Sequence, residues 1–220
     1  MLEIAPSILS ADFTKLGDEV AAVEAGGARI LHVDVMDGRF VPNITIGLPV
    51  VASLRRVTNS IIDVHLMIVE PARYAIEFVI AGANMVSFHI EADAHAHRTL
   101  SAIREAGAQA GICINPSTAL AAIEEILPFA DYVNVMSVNP GFGGQKFIST
   151  MLDKTRRLRR MIQERDLPTR IEIDGGVDKN NIRQVTEAGV EIVVAGSAVF
   201  GNSSPTEAVR ELIDAGTNWT

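Results

Sequence analysis

Short runs rich in Val and Ile alternate along this chain with longer segments whose apolar positions recur every three to four residues. The first pattern predicts buried strands and the second amphipathic helices. In order, the expected elements are strand Glu3–Leu9, helix Phe13–Ala25 with Asp12 near its start, strand Arg29–Met36 and, after a long loop, a short helix Pro49–Val57. Strand Ile61–Met67, helix Pro71–Ala81, strand Met85–His89 and helix His95–Ala106 follow. Next come strand Gln109–Asn115, helix Ala119–Leu127 behind the capping candidates Ser117 and Thr118, strand Tyr132–Met136 and the long helix Ser149–Arg165. The series closes with strand Arg170–Asp174, helix Lys179–Ala188, strand Glu191–Ala195 and helix Thr206–Asp214.

The pattern amounts to eight strands, each followed by a helix. Several helices run into Ala-Gly before the next strand, at Ala25-Gly26, Ala81-Gly82, Ala106-Gly107 and Ala188-Gly189, where a glycine can supply the left-handed stop. Repeats of roughly 27 residues suit a (β/α)8 TIM barrel a little under the usual length of about 250. A doubly wound open sheet is the competing arrangement, but the strand number and even spacing favour the barrel. No linker or charge block divides the chain, so residues 1–220 are expected to form one domain.

Composition narrows the function. A hydrophobic fraction of 48% and a charged fraction of 21% exclude a disordered chain. The net charge of -8 argues against nucleic acid and against an anionic membrane as partners. An anionic small molecule stays open, because backbone donors bind phosphate without net positive charge. The lone Cys113 excludes an intrachain disulfide, a cysteine zinc site and an iron–sulfur cluster. The start MLEIAPSILSADF lacks the features of a secretory leader, and the apolar runs are too short to span a membrane. A reducing, cytoplasmic setting is the expectation.

Candidate chemistry gathers at the strand ends, where barrels carry their active sites. Those ends read Ser7, His32-Val33-Asp34-Val35-Met36-Asp37, His65-Leu66-Met67, His89-Ile90-Glu91, Asn115, Met136-Ser137, Asp174-Gly175-Gly176 and Gly196-Ser197. Alternation puts His32 and Asp34 on one face of their strand. His65 joins them from the next strand and Asp174 from the opposite wall. Two imidazoles and two carboxylates converging on one cavity make a candidate site for a single divalent metal, with Zn, Fe, Mn and Co all compatible. Four unrelated buried polar residues, or a metal-free acid–base site, are the competing readings.

Glycine-rich loops follow the last three strands: Gly141-Phe142-Gly143-Gly144, Gly175-Gly176 and Gly196-Ser197, with Ser197–Phe200 as a candidate short helix. Together they read as a phosphate cradle of backbone N–H groups. Met36, Met67 and Met136 would form a soft apolar wall over the reacting carbons, in place of the usual role as core filler. His89 and Glu91 repeat the i, i+2 spacing and are weaker candidates for contacts behind the site. Cys113 reads as core, and the arginines at 156, 157, 159 and 160 as the solvated face of their helix.

The stretches APSILSADF, HVDVMDGRFVPNITIG, DVHLMI, INPST, VMSVNPGFGGQKF, EIDGGV and VAGSAVF, in this order over nearly the whole chain, resemble the ribulose-phosphate 3-epimerases. The resemblance implies metal ligation by His32, Asp34, His65 and Asp174, with Asp34 and Asp174 as acid and base. It implies substrate contacts from Ser7 and from the three glycine loops, and a homo-oligomer. The Gly47-Leu48-Pro49 stretch departs from the family pattern in a loop outside this set. The implied reaction inverts C3 of a ketose 5-phosphate through an enediolate. A six-carbon ketose-phosphate 3-epimerase would share the same residues, although MSVNPGFGGQKF favours the pentose enzyme. A decarboxylase on the same barrel would need a lysine that Asp63-Val64-His65-Leu66-Met67 does not provide, and a Schiff-base aldolase would need a lysine at a strand end, where none appears. A non-catalytic phosphate binder would have no use for two opposed carboxylates.

Overall fold

The computed structural model describes residues 2–217. Eight parallel strands run β1 (Glu3–Pro6), β2 (Ile30–Met36), β3 (Ile61–Met67), β4 (Met85–His89), β5 (Gln109–Ile114), β6 (Tyr132–Met136), β7 (Arg170–Asp174) and β8 (Ile192–Ala195). Each pairs with its neighbour in sequence from β2 to β8, and β8 pairs with β1. A parallel bridge between Ser7 and His32 brings β1 against β2 and closes the ring. The expected TIM barrel is the architecture found.

Around it lie α1 (Leu16–Ala25), α2 (Leu48–Arg55), α3 (Pro71–Ile80), α4 (Ala96–Glu105), α5 (Met151–Glu164), α6 (Ile182–Glu187), the short α7 (Ser197–Phe200) and α8 (Pro205–Thr217). Outward strand residues such as Leu31, Val33 and Val35 pack with helix residues such as Val20, Leu54 and Leu158 into one continuous apolar layer. That burial supplies the main drive for folding. Among the described residues, no helix is long and apolar enough to cross a membrane.

Several element ends shift by up to three residues, as where a 3-10 turn, Phe13–Lys15, precedes α1, and three expectations differ more deeply. The first strand stops at Pro6, because Ser7 accepts from the Leu9 N–H and starts a 3-10 turn, Ile8–Ser10. The helix expected over 119–127 is only a pair of 3-10 turns, Leu120–Ala122 and Leu127–Phe129. Its capping candidate Thr118 spends its hydroxyl on Glu91, and Pro128 lies in the first positions of the second turn. At the first helix stop Gly26 stays right-handed and Gly27 takes the positive φ of 108°, whereas Gly82, Gly107 and Gly189 behave as expected.

The barrel interior is layered. Within it Ala5, Ile30, Met85, Tyr132, Ile192 and Val194 form an apolar plug. Tyr132 fits because Gly111 is its register partner on β5; a Cβ at Gly111 would lie 2.3 Å from the Tyr132 ring. On β2, β3 and β7 the inward positions above the plug turn polar, at His32 and Asp34, Asp63 and His65, and Glu172 and Asp174.

Candidate active site

Strand register sets the arrangement. On β2 and β3, His32 is opposite Asp63 and Asp34 is opposite His65. Since all four belong to inward-facing i, i+2 pairs, they form two tiers inside the barrel. Glu172 and Asp174 repeat the spacing on β7. The lower tier holds His32, Asp63 and Glu172; the upper holds Asp34, His65 and Asp174.

One ligand atom from each of His32, Asp34, His65 and Asp174 falls within a 4.8 Å cluster. His32 Nε2 is 3.4 Å from Asp34 Oδ1 and 3.6 Å from Asp174 Oδ2. His65 Nδ1 is 3.5 Å and 3.3 Å from the same two atoms. Both nitrogens are buried and lack a hydrogen-bond partner. Leaving buried polar atoms so costs roughly 1–3 kcal/mol each. Separations of about 3.3–3.6 Å match the edges of a tetrahedral cage around an ion bound at about 2.0–2.2 Å. The donor set therefore fits a divalent cation of the borderline class.

The electrostatics agree. Burial alone would raise the carboxyls of Asp34 and Asp174, but His32 and His65 hold both below the usual carboxylate range. Burial alone would lower His32; Asp34, Asp63 and Asp174 outweigh it and raise it well above an ordinary imidazole. His65 is raised likewise against its burial, by Cys113 and the two carboxylates. The centre thus holds concentrated negative charge and binds a positive group, whether proton or metal.

Sequence patterns singled out neither Asp63 nor Glu172 as part of the site. Asp63 Oδ2 lies 2.6 Å from His32 Nδ1, and Tyr132 donates its hydroxyl to Asp63 Oδ1 at 2.9 Å. Burial first, and then Asp63, push Glu172 well above the usual carboxyl range. The i, i+2 pairing of Asp63 with His65 was the available signal, the same spacing that marked His32 and Asp34.

A cavity opens above the upper tier. Of the residues singled out from the sequence as substrate contacts, it is lined by Ser7, Met36, Met67, Met136, Gly141, Phe142, Gly143, Gly144, Asp174, Gly175, Gly176, Gly196 and Ser197, with Asp34. His65 lies below it, fully buried. Ser7 donates its hydroxyl to Asp34 Oδ2 at 2.5 Å. Met36 and Met67 are register partners and, with Met136, nearly fully buried. The cavity also takes in Ser10, Val138, Pro140 and Gln145, which sequence reasoning passed over. Gln145 braces the 139–145 loop by donating to the carbonyls of Asn139 and Phe142 at 2.6 and 2.9 Å. At Gly196 a Cβ would come within 2.6 Å of Ser10 Oγ, so the wall there admits no side chain without displacing Ser10.

Residues 3–200 match the family model of the ribulose-phosphate 3-epimerase family. A curated ribulose-phosphate 3-epimerase of Synechocystis is 55% identical over 208 residues, covering 94% of this chain and 90% of that protein. The Bacillus subtilis ribulose-phosphate 3-epimerase is 51% identical over 215 residues, covering 96% and 98%. The chloroplastic ribulose-5-phosphate-3-epimerase of Arabidopsis thaliana is 53% identical, covering 94% and 74%. Among solved structures, 3-hexulose-6-phosphate synthase from Salmonella typhimurium superimposes with a TM-score of 0.72 at 17% identity, over 98% of each chain. A mutant tryptophan synthase alpha-subunit from Pyrococcus furiosus does so with a TM-score of 0.69 at 16% identity, over 98% of this chain and 96% of that one. These two likenesses are of fold alone.

Proposed function

The chain belongs to the ribulose-phosphate 3-epimerase family, and on that premise we propose how its own residues perform the reaction. The enzyme is an isomerase of the pentose phosphate pathway that interconverts D-ribulose 5-phosphate and D-xylulose 5-phosphate by inverting C3. The observation that carries the site assignment is the pair of unpartnered imidazole nitrogens facing two carboxylates directly under the cavity.

His32, Asp34, His65 and Asp174 are the residues that would hold a divalent cation. Bound there, the cation supplies Lewis-acid charge for the oxygens that turn negative as C3 loses its proton. Zn, Fe, Mn and Co all suit the mixed imidazole and carboxylate set. Asp34 reaches the cavity from β2 and Asp174 from β7. A ketose lying flat between them presents one face of C3 to each. One carboxylate removes the C3 proton and the other returns a proton to the opposite face; the direction of reaction sets which acts first. The enediolate formed between these steps is planar at C3, so inversion needs no further rearrangement.

The remaining lining residues position the substrate. Ser7, hydrogen-bonded to Asp34, orients that carboxylate and is placed to contact a substrate hydroxyl. Met36, Met67 and Met136 form the apolar wall that excludes water from the reacting carbons. The backbone N–H groups of the loops at Gly141–Gly144, Gly175–Gly176 and Gly196–Ser197 take the phosphate. We read residues 1–220 as one barrel domain that works in the cytoplasm as a homo-oligomer, without nucleic acid or membrane. The net charge of -8 supports the last part of that reading.

Product analysis tests the substrate. Purified, metal-loaded protein should convert D-ribulose 5-phosphate to D-xylulose 5-phosphate much faster than it epimerises a six-carbon ketose phosphate. The reverse preference would overturn the pentose assignment.

A further inference from the structure

Behind His65, away from the cavity, stands a second buried imidazole. His89 ends β4 and is fully buried. Its ring stacks on that of His65, with centroids 5.0 Å apart, and its Nε2 lies 2.9 Å from His65 Nε2. Its Nδ1 lies 3.3 Å from Glu91 Oε2. Glu91 Oε1 accepts the Asn115 N–H at 3.0 Å and the Thr118 hydroxyl. The loop that supplies those donors is itself pinned, because the buried Lys154 ammonium donates to the carbonyls of Asn115, Pro116 and Thr118 at 3.1, 2.7 and 2.8 Å. The proposed reaction uses none of His89, Glu91 or Lys154.

We infer that Glu91 and His89 form a positioning relay that presents the bare Nδ1 of His65 to the cation site. The inference rests on the reading that His65 ligates the cation through Nδ1. A contact between two imidazole nitrogens holds one proton, so one ring donates and the other accepts. An ionised carboxylate only accepts, so Glu91 keeps the His89 proton on Nδ1. In its neutral form the ring then has its lone pair at Nε2, where it accepts the proton of His65 Nε2. With its proton on Nε2, His65 carries its lone pair on Nδ1, the atom facing Asp34 and Asp174. Burial alone would raise Glu91, but its bonds from His89, Thr118 and Asn115 hold its carboxyl down to about 2, so the relay is anchored by a full charge. Partners of this kind typically alter metal affinity by about 10–100-fold. Asp63 does the corresponding work for His32, directly and with no intervening ring.

The test uses the whole chain loaded with zinc. Nitrogen-15 histidine spectra of the wild type should show His65 protonated at Nε2 and His89 protonated at Nδ1 only. A proton on His89 Nε2 would overturn the relay. In competition with a chromophoric chelator, Glu91→Gln, which keeps the side chain's shape, should bind zinc about tenfold more weakly. Its melting temperature should stay near that of the wild type, and excess zinc should restore kcat without changing KM. Unchanged zinc affinity in Glu91→Gln would overturn the relay, while His65→Ala that still binds one ion per chain would overturn the underlying ligand assignment instead. Two zinc ions per wild-type chain would mean that His65, His89 and Cys113 bind a metal of their own, and would also overturn it.

Discussion

Asp63 Oδ2 lies 2.6 Å from His32 Nδ1, in a pair from which water is excluded on both sides. With a cation bound at the site, this contact would hold the His32 proton on Nδ1 and turn the Nε2 lone pair toward Asp34 and Asp174. Asp63→Asn puts an amide in the carboxylate's place, which no longer holds that proton firmly. Divalent-metal affinity should fall about 10–100-fold, read by chelator competition, with circular dichroism of the variant close to that of the wild type. Undiminished affinity would remove Asp63 from the support of the site.

Asp34→Asn and Asp174→Asn should each reduce epimerisation by several orders of magnitude, because each removes both a ligand and a proton carrier. Elemental analysis separates the two losses. In a variant that retains metal, one epimer should still exchange its C3 proton with solvent while the other is not formed. Near-normal epimerisation in a metal-retaining variant of either residue would refute the two-aspartate mechanism.

At Gly196 a Cβ would lie 2.6 Å from Ser10 Oγ, on the wall assigned to the phosphate. Gly196→Val should raise KM for the phosphorylated substrate at least tenfold. Arg157→Val, on the outer face of α5 where Arg157 pairs with Asp153, should leave KM unchanged. Equal turnover of unphosphorylated ribulose would count against the cradle.

Lys154 is nearly fully buried and its ammonium caps three carbonyls of the loop after β5. Lys154→Met keeps the stem and strands those carbonyls. Unfolding in urea should show a loss of roughly 2–3 kcal/mol. A change under about 0.5 kcal/mol, the scale of ordinary surface substitutions, would show that solvent replaces the ammonium freely.

The barrel was legible because its strands are uniformly apolar outside and its helices amphipathic. Strands such as Ile61–Met67 and Tyr132–Met136 therefore have the bounds that the pattern suggests. The convergence of His32, Asp34, His65 and Asp174 was legible for a related reason. Alternation fixes the face of each residue, and a closed barrel leaves inward-facing groups nowhere else to point. Local competition was harder to read. Thr118 looked like a helix cap and instead serves Glu91, so the helix after it never forms. Asp63 and Glu172 escaped notice because they lie one pleat below His65 and Asp174, where a barrel is normally filled with aliphatic side chains. The partners of Asp63 are the ring of His32 on the neighbouring β2 and Tyr132 on the distant β6.

The most direct test of the account is solvent exchange at C3. The metal-loaded enzyme, incubated with D-ribulose 5-phosphate in heavy water, should yield D-xylulose 5-phosphate carrying deuterium at C3. Both the product and the label should disappear after treatment with a strong chelator and return when a divalent metal is added back. Xylulose 5-phosphate formed without deuterium at C3, or formed equally well by the chelated protein, would contradict proton transfer by Asp34 and Asp174 at a metal-assisted site.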